Sequence, residues 1–285
     1  MDKANIEARL NGCLLPRASR LFRGLAMLVG AAGLLASMWA LPPTSMQAKS
    51  EIHRQDVDDD SCSETGGPAG RLPTTKLFIE HNATDGDTGI HGAFDGIDWQ
   101  KLCVFDPNGQ LVLEVEPKNQ LRDLSISGIF FESREPPNDE VPIEEILARF
   151  PEGRYSVRGR ALDGRRLTGA ATFTHDIPAA PVIVFPLEDG VVSSAGFTVM
   201  WNHVTTTLDG NPLKRTGYEV IITKDVPDDP HGFSRPTFDV HVRASETSLS
   251  VPSEFLEPGT RYELEVLVLE VSGNQTITNL FFQTQ

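Results

Sequence analysis

Apolar side chains occupy every second position through much of the second half of the sequence, and this alternation constrains the fold more than any other feature. It recurs in four segments, which are 197–201, 218–223, 238–243 and 262–269. Successive side chains of a β-strand point to opposite faces, so a period of two places one face on a core and the other in solvent. Several short strands of this kind within about 100 residues are typical of a β-sandwich. The pattern therefore predicts an all-β fold.

A proline-rich stretch at residues 177–181 separates two blocks of nearly equal size. Proline lacks a backbone N–H, so this stretch cannot sustain a helix or a central strand. We place a domain boundary here, with one domain at residues 75–177 and a second at residues 178–285.

Four motifs in the second block follow one another in a characteristic order. They are Trp201 in an early strand, a Gly-Tyr-Glu-Val strand at 217–220, the sequence Leu-Glu-Pro-Gly-Thr-Arg-Tyr at 256–262, and a Val-Ser-Gly-Asn turn at 271–274. Together they resemble a fibronectin type III domain over residues 178–285. The resemblance implies a tyrosine corner, in which the Tyr262 hydroxyl bonds to upstream backbone. The long segment 225–236, rich in Asp and Pro, departs from the family pattern.

The first block carries two hairpin signals and one short helix. Asn108-Gly109 and Asp163-Gly164 supply the positive φ angles of tight turns between alternating segments. Pro142 begins a helix that places apolar residues on one face, namely Ile143, Ile146, Leu147 and Phe150. The sequence 150–155 faintly repeats the motif that precedes Tyr262. We therefore predict two consecutive Ig/fibronectin III-like β-sandwich domains, the first with a short inserted helix.

Residues 1–48 have the composition of a signal peptide. Five basic residues precede the apolar run 25–41, and a site of small residues follows at 45–48. An uncleaved anchor is the alternative, because the run just reaches the length needed to span a bilayer. The sequence predicts a secreted or periplasmic protein whose mature chain has no membrane span. In this respect the chain looks like uncharacterised secreted bacterial proteins that carry a fibronectin type III domain.

Residues 49–74 are acidic and poor in large apolar side chains, which predicts a flexible spacer. This segment contains Cys62, and Cys103 lies in a strand-like run of the first block. In an oxidising compartment the two cysteines can form one disulfide. Alternatively, Cys103 is a small buried apolar residue and Cys62 is unpaired. Spacing alone leaves both alternatives open.

The formal net charge of −15 argues against nucleic acid as a partner, because phosphate binding needs clustered Lys and Arg. Carboxylates on Gly-rich loops around residues 82–98 suggest a Ca²⁺ site instead, although their spacing departs from the EF-hand pattern. The alternatives are an ordinary turn and a hydrolase that pairs His81 or His91 with one of these carboxylates. The carboxylates are those of Asp85, Asp87, Asp95 and Asp98.

No motif in the sequence specifies a reaction. None of the seven histidines stands in a zinc-binding frame, and alternation places His241 on the outward face of its strand, where we expect it to be solvated. The sequence predicts no catalytic residue, no cofactor, no cofactor-binding residue and no metal ligand. The interpretation is an exported, non-enzymatic interaction or scaffold protein with a protein or glycan partner at the cell envelope. A calcium-dependent or carbohydrate-binding module using residues 82–98 is the alternative.

Overall fold

The computed structural model describes Cys62, residues 69–226 and residues 237–285. The predicted signal peptide, most of the predicted spacer and most of the unusual segment 225–236 lie outside these residues. None of the helices in the described part is long and apolar enough to cross a membrane.

The first block contains seven strands and two helices. In chain order they are β1 (Ala69–Arg71), β2 (Thr74–Asn82), β3 (Asp87–Phe105), β4 (Leu111–Val115), α1 (Asn119–Leu124), β5 (Ile126–Glu132), α2 (Ile143–Arg149), β6 (Gly153–Ala161) and β7 (Arg166–Phe173). Both predicted hairpins are present as β3–β4 and β6–β7. The helix after Pro142 is α2, whereas α1 has no counterpart in the sequence prediction.

Strand β3 organises the first block because it pairs with different neighbours along its length. Its first half lies between β2 and β5, and its second half lies between β4 and β6. The register shifts between Asp95 and Trp99, where the strand passes from one set of neighbours to the other. The two halves enclose a core that contains the fully buried side chains of Trp99 and Tyr155, together with Ile146 of α2.

The end of the predicted spacer is structured. Residues 69–71 form β1 in parallel pairing with β7, and Leu72 packs into the core. The prediction of a flexible spacer to residue 74 was therefore wrong for its last residues. One large apolar side chain next to an unpaired strand edge is sufficient to order this short piece.

The second block is a sandwich of two antiparallel sheets. Its strands are β8 (Ile183–Phe185), β9 (Gly190–Val192), β10 (Phe197–Trp201), β11 (Arg215–Lys224), β12 (Thr237–Arg243), β13 (Ser248–Val251), β14 (Arg261–Glu270) and β15 (Gln275–Thr284). The sheet β13–β10–β8 and the strands β12–β11–β14–β15 enclose a second core that contains Trp201 and Tyr262. This arrangement confirms the all-β, stacked-sheet fold class.

The tyrosine corner is present. The Tyr262 hydroxyl accepts a hydrogen bond from Glu257 N at 2.8 Å and donates to Phe255 O at 3.5 Å. The first block has no tyrosine corner at Tyr155, because the Tyr155 hydroxyl is buried and has no hydrogen-bond partner in the described part of the chain. Its burial, with the nearby Asp106 carboxylate, raises the pKa of Tyr155 to about 12. The faint repeat in sequence therefore does not extend to this interaction.

The two blocks share one sheet. Strand β15 pairs in parallel with β2, so a path of hydrogen-bonded strands runs from β1 to β12. The hydrophobic cores stay separate, with Ile177 in the first and Ala179 beside the second. The division into two domains at residue 178 remains a prediction, but the blocks are joined by backbone pairing and not by a linker alone.

The turn between β14 and β15 docks on the first block through Asn274. The Asn274 side chain accepts a hydrogen bond from Ile79 N at 2.8 Å and donates to Thr174 O at 2.9 Å and Asp176 O at 3.3 Å. Asn274 is fully buried. One amide group thus satisfies three backbone groups of the other block.

Candidate functional site

Most of the predicted calcium-binding segment 82–98 is a strand and not a loop. Residues 87–105 form β3, and the β2–β3 turn is closed by Asn82, whose side chain accepts from Thr84 N and Asp85 N. Asp87 and Asp95 lie eight residues apart on one strand, about 26 Å along an extended chain. In the described residues, the groups of three possible metal ligands contain none of the four predicted aspartates. The loop prediction holds only for the β2–β3 turn at residues 83–86, which contains Asp85-Gly86, and it was wrong for Asp87, Asp95 and Asp98 because they lie within the continuous strand β3.

The histidines of this region contact other groups. His81 is buried, and its Nδ1 lies 3.0 Å from both the Asp87 carbonyl and Thr88 Oγ1. Burial lowers the pKa of His81, and the Asp87 carbonyl opposes that shift. His91 contacts two glutamates. The contacts around these histidines give no support to the hydrolase alternative.

Glu80, His91 and Glu135 form a buried group that we call the His91 cluster. His91 Nε2 lies 2.9 Å from Glu135 Oε1, and His91 Nδ1 lies 3.7 Å from Glu80 Oε2. Gln275 of β15 donates to Glu80 Oε2. Because the two nitrogens of one imidazole point in opposite directions, the cluster is a chain of polar contacts that helps to join β2 to β15.

Glu219, Asp239 and His241 form a second group, the His241 cluster, on the outer surface of β11 and β12. Antiparallel register places Glu219 opposite His241 and Ile221 opposite Asp239. His241 Nε2 lies 3.2 Å from Glu219 Oε1. The Glu219 side chain is only 3% exposed, whereas that of His241 is 43% exposed. His241 was predicted to be solvated, but one edge of its ring contacts a buried carboxylate.

The Glu219 carboxylate is close enough to Asp239 to oppose ionisation of the Asp239 carboxyl group. Burial, then the charge of Glu219 and a side-chain contact with it, raises the pKa of Asp239 to about 7, while His241 acts in the other direction. Contact with the Glu219 carboxylate raises the pKa of His241 against its partial burial, and the charge of Lys76 on β2 acts weakly against that rise. Asp239 is therefore partly protonated near neutral pH.

We expect the His241 cluster to make stability fall as pH rises. The folded pKa of Asp239 is above its unfolded value, so its stabilising contribution is complete below about pH 4 and is lost by about pH 7. The pKa of His241 is also raised on folding, so its stabilising contribution is likewise lost as the pH rises through its folded pKa. Because Asp239 is partly exposed, solvent screening limits its share to about 2 kcal/mol. Urea unfolding of wild type and of Asp239→Asn, in the presence of chelator at pH 4.5 and pH 8, measures the contribution of Asp239 to the pH dependence of the free energy of unfolding. A pH dependence equal in the two proteins would contradict it.

A different surface, the outer face of the first block, is strongly basic. On β6, Arg154, Arg158 and Arg160 point away from the core, because Tyr155, Val157 and Ala161 point into it. Register places further cations beside them on the neighbouring strands. We call this surface the basic face, and its arginines are Arg71, Arg154, Arg158, Arg160 and Arg166. Lys101 lies in the same register but is buried and paired with Glu114 at 3.1 Å.

The basic face contains a shallow cavity of about 290 Å³. Arg154, Arg158 and Arg166 line it, together with the hydroxyls of Ser156 and Thr168. The Arg158 guanidinium lies 4.6 Å above the centre of the Phe105 ring, which fixes its orientation. Arginines held in place next to hydroxyl groups are suited to binding planar anions.

The disulfide lies on the same face. Cys103 pairs with Arg158 across β3 and β6 and is bonded to Cys62, and both cysteines are buried. Of the two alternatives that the sequence left open, the structure forms the disulfide.

No protein family model matches the chain, and no curated protein matches it. Solved structures that it resembles are fibronectin type III domains. The three-domain FN1–FN3 crystal structure of chicken CNTN1 has a TM-score of 0.31 at 16% identity, covering 76% of this chain and 65% of that one. A two-domain segment of chicken tenascin has a TM-score of 0.27 at 13% identity, covering 74% and 99%. The third fibronectin III domain of human KIAA0343 has a TM-score of 0.30 at 23% identity, covering 39% and 86%.

The chain spans about two thirds of the CNTN1 fragment, covering 65% of it. At these similarities the fold is argued from strand order and the tyrosine corner of this chain, and function from its own side chains.

Sequence reasoning missed both the His241 cluster and the basic face. The residues of the His241 cluster come from two strands, so no local spacing in the sequence connects Glu219 with His241. The signal for the basic face was present in β6, where arginines occupy alternate positions, but the acidic total charge concealed it. Counting charges separately for each strand face would have found it.

Proposed function

We propose that this protein is an exported, non-enzymatic binding protein of the cell envelope that holds an acidic polysaccharide on its basic face. The observation that carries the proposal is the basic face itself: five arginines on one sheet surface of a chain whose net charge is −15. The fold does not require these arginines on one surface, because the first block is stabilised by the apolar core on the other side of the sheet.

A linear polyanion fits this surface better than a compact anion. Side chains on one face of a strand repeat every 6.6 to 6.8 Å or so, which matches a ligand with regularly spaced charges. Guanidinium groups pair with carboxylate or sulfate in a fork geometry, and Ser156 and Thr168 add hydroxyl groups at the cavity. The pairing of β15 with β2 and the Asn274 contact would hold this surface beside the second block, as a scaffold requires.

The chain also supplies its own competing anions. Asp58, Asp59, Asp60 and Glu64 lie within four residues of Cys62 in sequence, and Cys62 is bonded to Cys103 on the basic face. An external ligand has to outcompete them. We therefore expect modest affinity with a steep dependence on salt.

Binding of a sulfated polysaccharide such as heparin, measured by calorimetry at 50 and 200 mM salt, tests the proposal. Arg154→Ser with Arg158→Ser should weaken binding about tenfold or more, since each lost charge-assisted contact contributes about 1.5 kcal/mol. The matched control is Arg134→Ser with Arg243→Ser, which removes the same charge from arginines whose side chains are 76% and 86% exposed elsewhere. Equal weakening in both variants, or no binding by wild type, would refute the role of the basic face.

Export is tested separately. Cell fractionation should find the protein outside the cytoplasm, in a form shortened by about the length of the predicted signal peptide. A protein of full length in the cytoplasm would contradict this part of the proposal.

A further inference from the structure

We propose that Glu219, Asp239 and His241 bind a divalent transition-metal ion of the Zn²⁺ class, with three protein ligands and an open coordination position. This inference goes beyond the proposed function, and it concerns a different surface from the basic face. It arises from the pairing of β11 with β12, which places a buried glutamate, a half-buried aspartate and an exposed imidazole edge at one point.

The distances suit a small ion. One donor atom from each of the three residues lies within 4.8 Å of the other two. His241 Nε2 and Glu219 Oε1 are 3.2 Å apart, and two ligands of a tetrahedral zinc ion, at about 2.0 to 2.1 Å from the metal, are about 3.3 Å apart. Small side-chain movements would complete the geometry.

The unsatisfied oxygens of this cluster supply a second, independent argument. Glu219 Oε1 and Asp239 Oδ1 are buried, and within the described residues neither makes a well-oriented hydrogen bond. Buried polar atoms normally make hydrogen bonds, and a buried carboxylate oxygen that makes none is costly; the His241 ring nitrogen 3.2 Å away satisfies Glu219 Oε1 only in part. A divalent cation satisfies both oxygens and removes their mutual repulsion.

The donor set selects the metal class. One imidazole nitrogen with two carboxylates suits Zn²⁺ and related first-row ions, whereas Ca²⁺ prefers six to eight oxygen ligands. The exposed side of His241 leaves room for water or for a ligand from a partner at the remaining position. The His91 cluster is less suitable, because its glutamates approach opposite nitrogens of one ring.

The decisive experiment is titration of the chelator-treated protein with Zn²⁺ by calorimetry at pH 7.5, with Ca²⁺ in parallel. Wild type should bind one Zn²⁺ at this site, and saturation should raise the melting temperature by about 5 to 10 °C. His241→Ala should weaken binding at least tenfold, and Asp239→Asn should do the same. His241 is exposed and Asp239 is half-buried, and neither belongs to the apolar core, so these variants should fold. His203→Ala is the matched control, because His203 is another exposed histidine of the second block.

Co²⁺ provides a spectroscopic readout of the ligand set. Its visible absorption should change on binding to wild type and His203→Ala but not to His241→Ala. Equal Zn²⁺ binding by wild type and His241→Ala, a Ca²⁺ affinity matching that for Zn²⁺, or loss of binding in His91→Gln alone would each overturn the assignment.

Discussion

Replacing Cys62 and Cys103 by serine is expected to lower the free energy of unfolding by about 4 kcal/mol. The disulfide joins residues 41 positions apart, and closing a loop of that length removes roughly this much conformational freedom from the unfolded chain. For a protein of this size the melting temperature should fall by about 8 to 16 °C. Urea unfolding of wild type and the double variant, without reductant, measures the difference.

Reductant provides the control for this prediction. It should destabilise wild type by a similar amount and leave the double variant unchanged. If the double variant were as stable as wild type, the bond would contribute nothing to the folded state. Because Cys103 faces outward beside Arg158, its replacement leaves the apolar core intact, so a loss can be assigned to the crosslink.

Much of the fold could be predicted from the sequence because its signals are local. Alternation in 262–269 specifies a strand with Tyr262 and Leu264 inward, and Pro-Gly before Tyr262 specifies the corner. Asn108-Gly109 specifies a turn whatever the rest of the chain does. Each of these patterns is contained within about ten residues, so it predicts the local structure without knowledge of the tertiary contacts.

The joint between the blocks could not be predicted in this way. The pairing of β15 with β2 brings residues 275–277 beside residues 80–82, and no local pattern encodes a partner so distant in sequence. The Val-Ser-Gly-Asn turn was correctly predicted as a hairpin turn. Its docking on the first block depends on hydrogen bonds of Asn274 with Ile79 and Thr174, which are distant in sequence.

The His241 cluster could not be predicted for a related reason. Alternation assigns Glu219 to the outward face of β11, which in an isolated sandwich is a solvated position. In the structure Glu219 is buried, and so are Leu267 and Ile277, which are its neighbours in register on β14 and β15. A period of two tells which residues share a face, but burial of that face depends on the surroundings of the whole sheet.

Replacing Asn274 by alanine is expected to cost about 4 kcal/mol and to uncouple the two blocks. The change removes the acceptor of Ile79 N and the donor to the Thr174 and Asp176 carbonyls, all at a fully buried position. Each buried group left without a partner costs about 1 to 3 kcal/mol. Asn274→Asp should also destabilise, because it keeps the acceptor but loses the donor. Asn211→Ala, at an exposed asparagine, is the matched control.

The tryptophans allow the uncoupling to be observed block by block. Trp99 lies in the first core and Trp201 in the second, so fluorescence of Trp201→Phe and Trp99→Phe proteins reports the first and the second block respectively. With Asn274 present, both probes should give the same urea midpoint, since shared backbone pairing makes unfolding cooperative. With Asn274→Ala, the midpoints should separate. Coincident midpoints in that variant would mean that the β2–β15 pairing alone holds the blocks together, and that Asn274 adds only local stability.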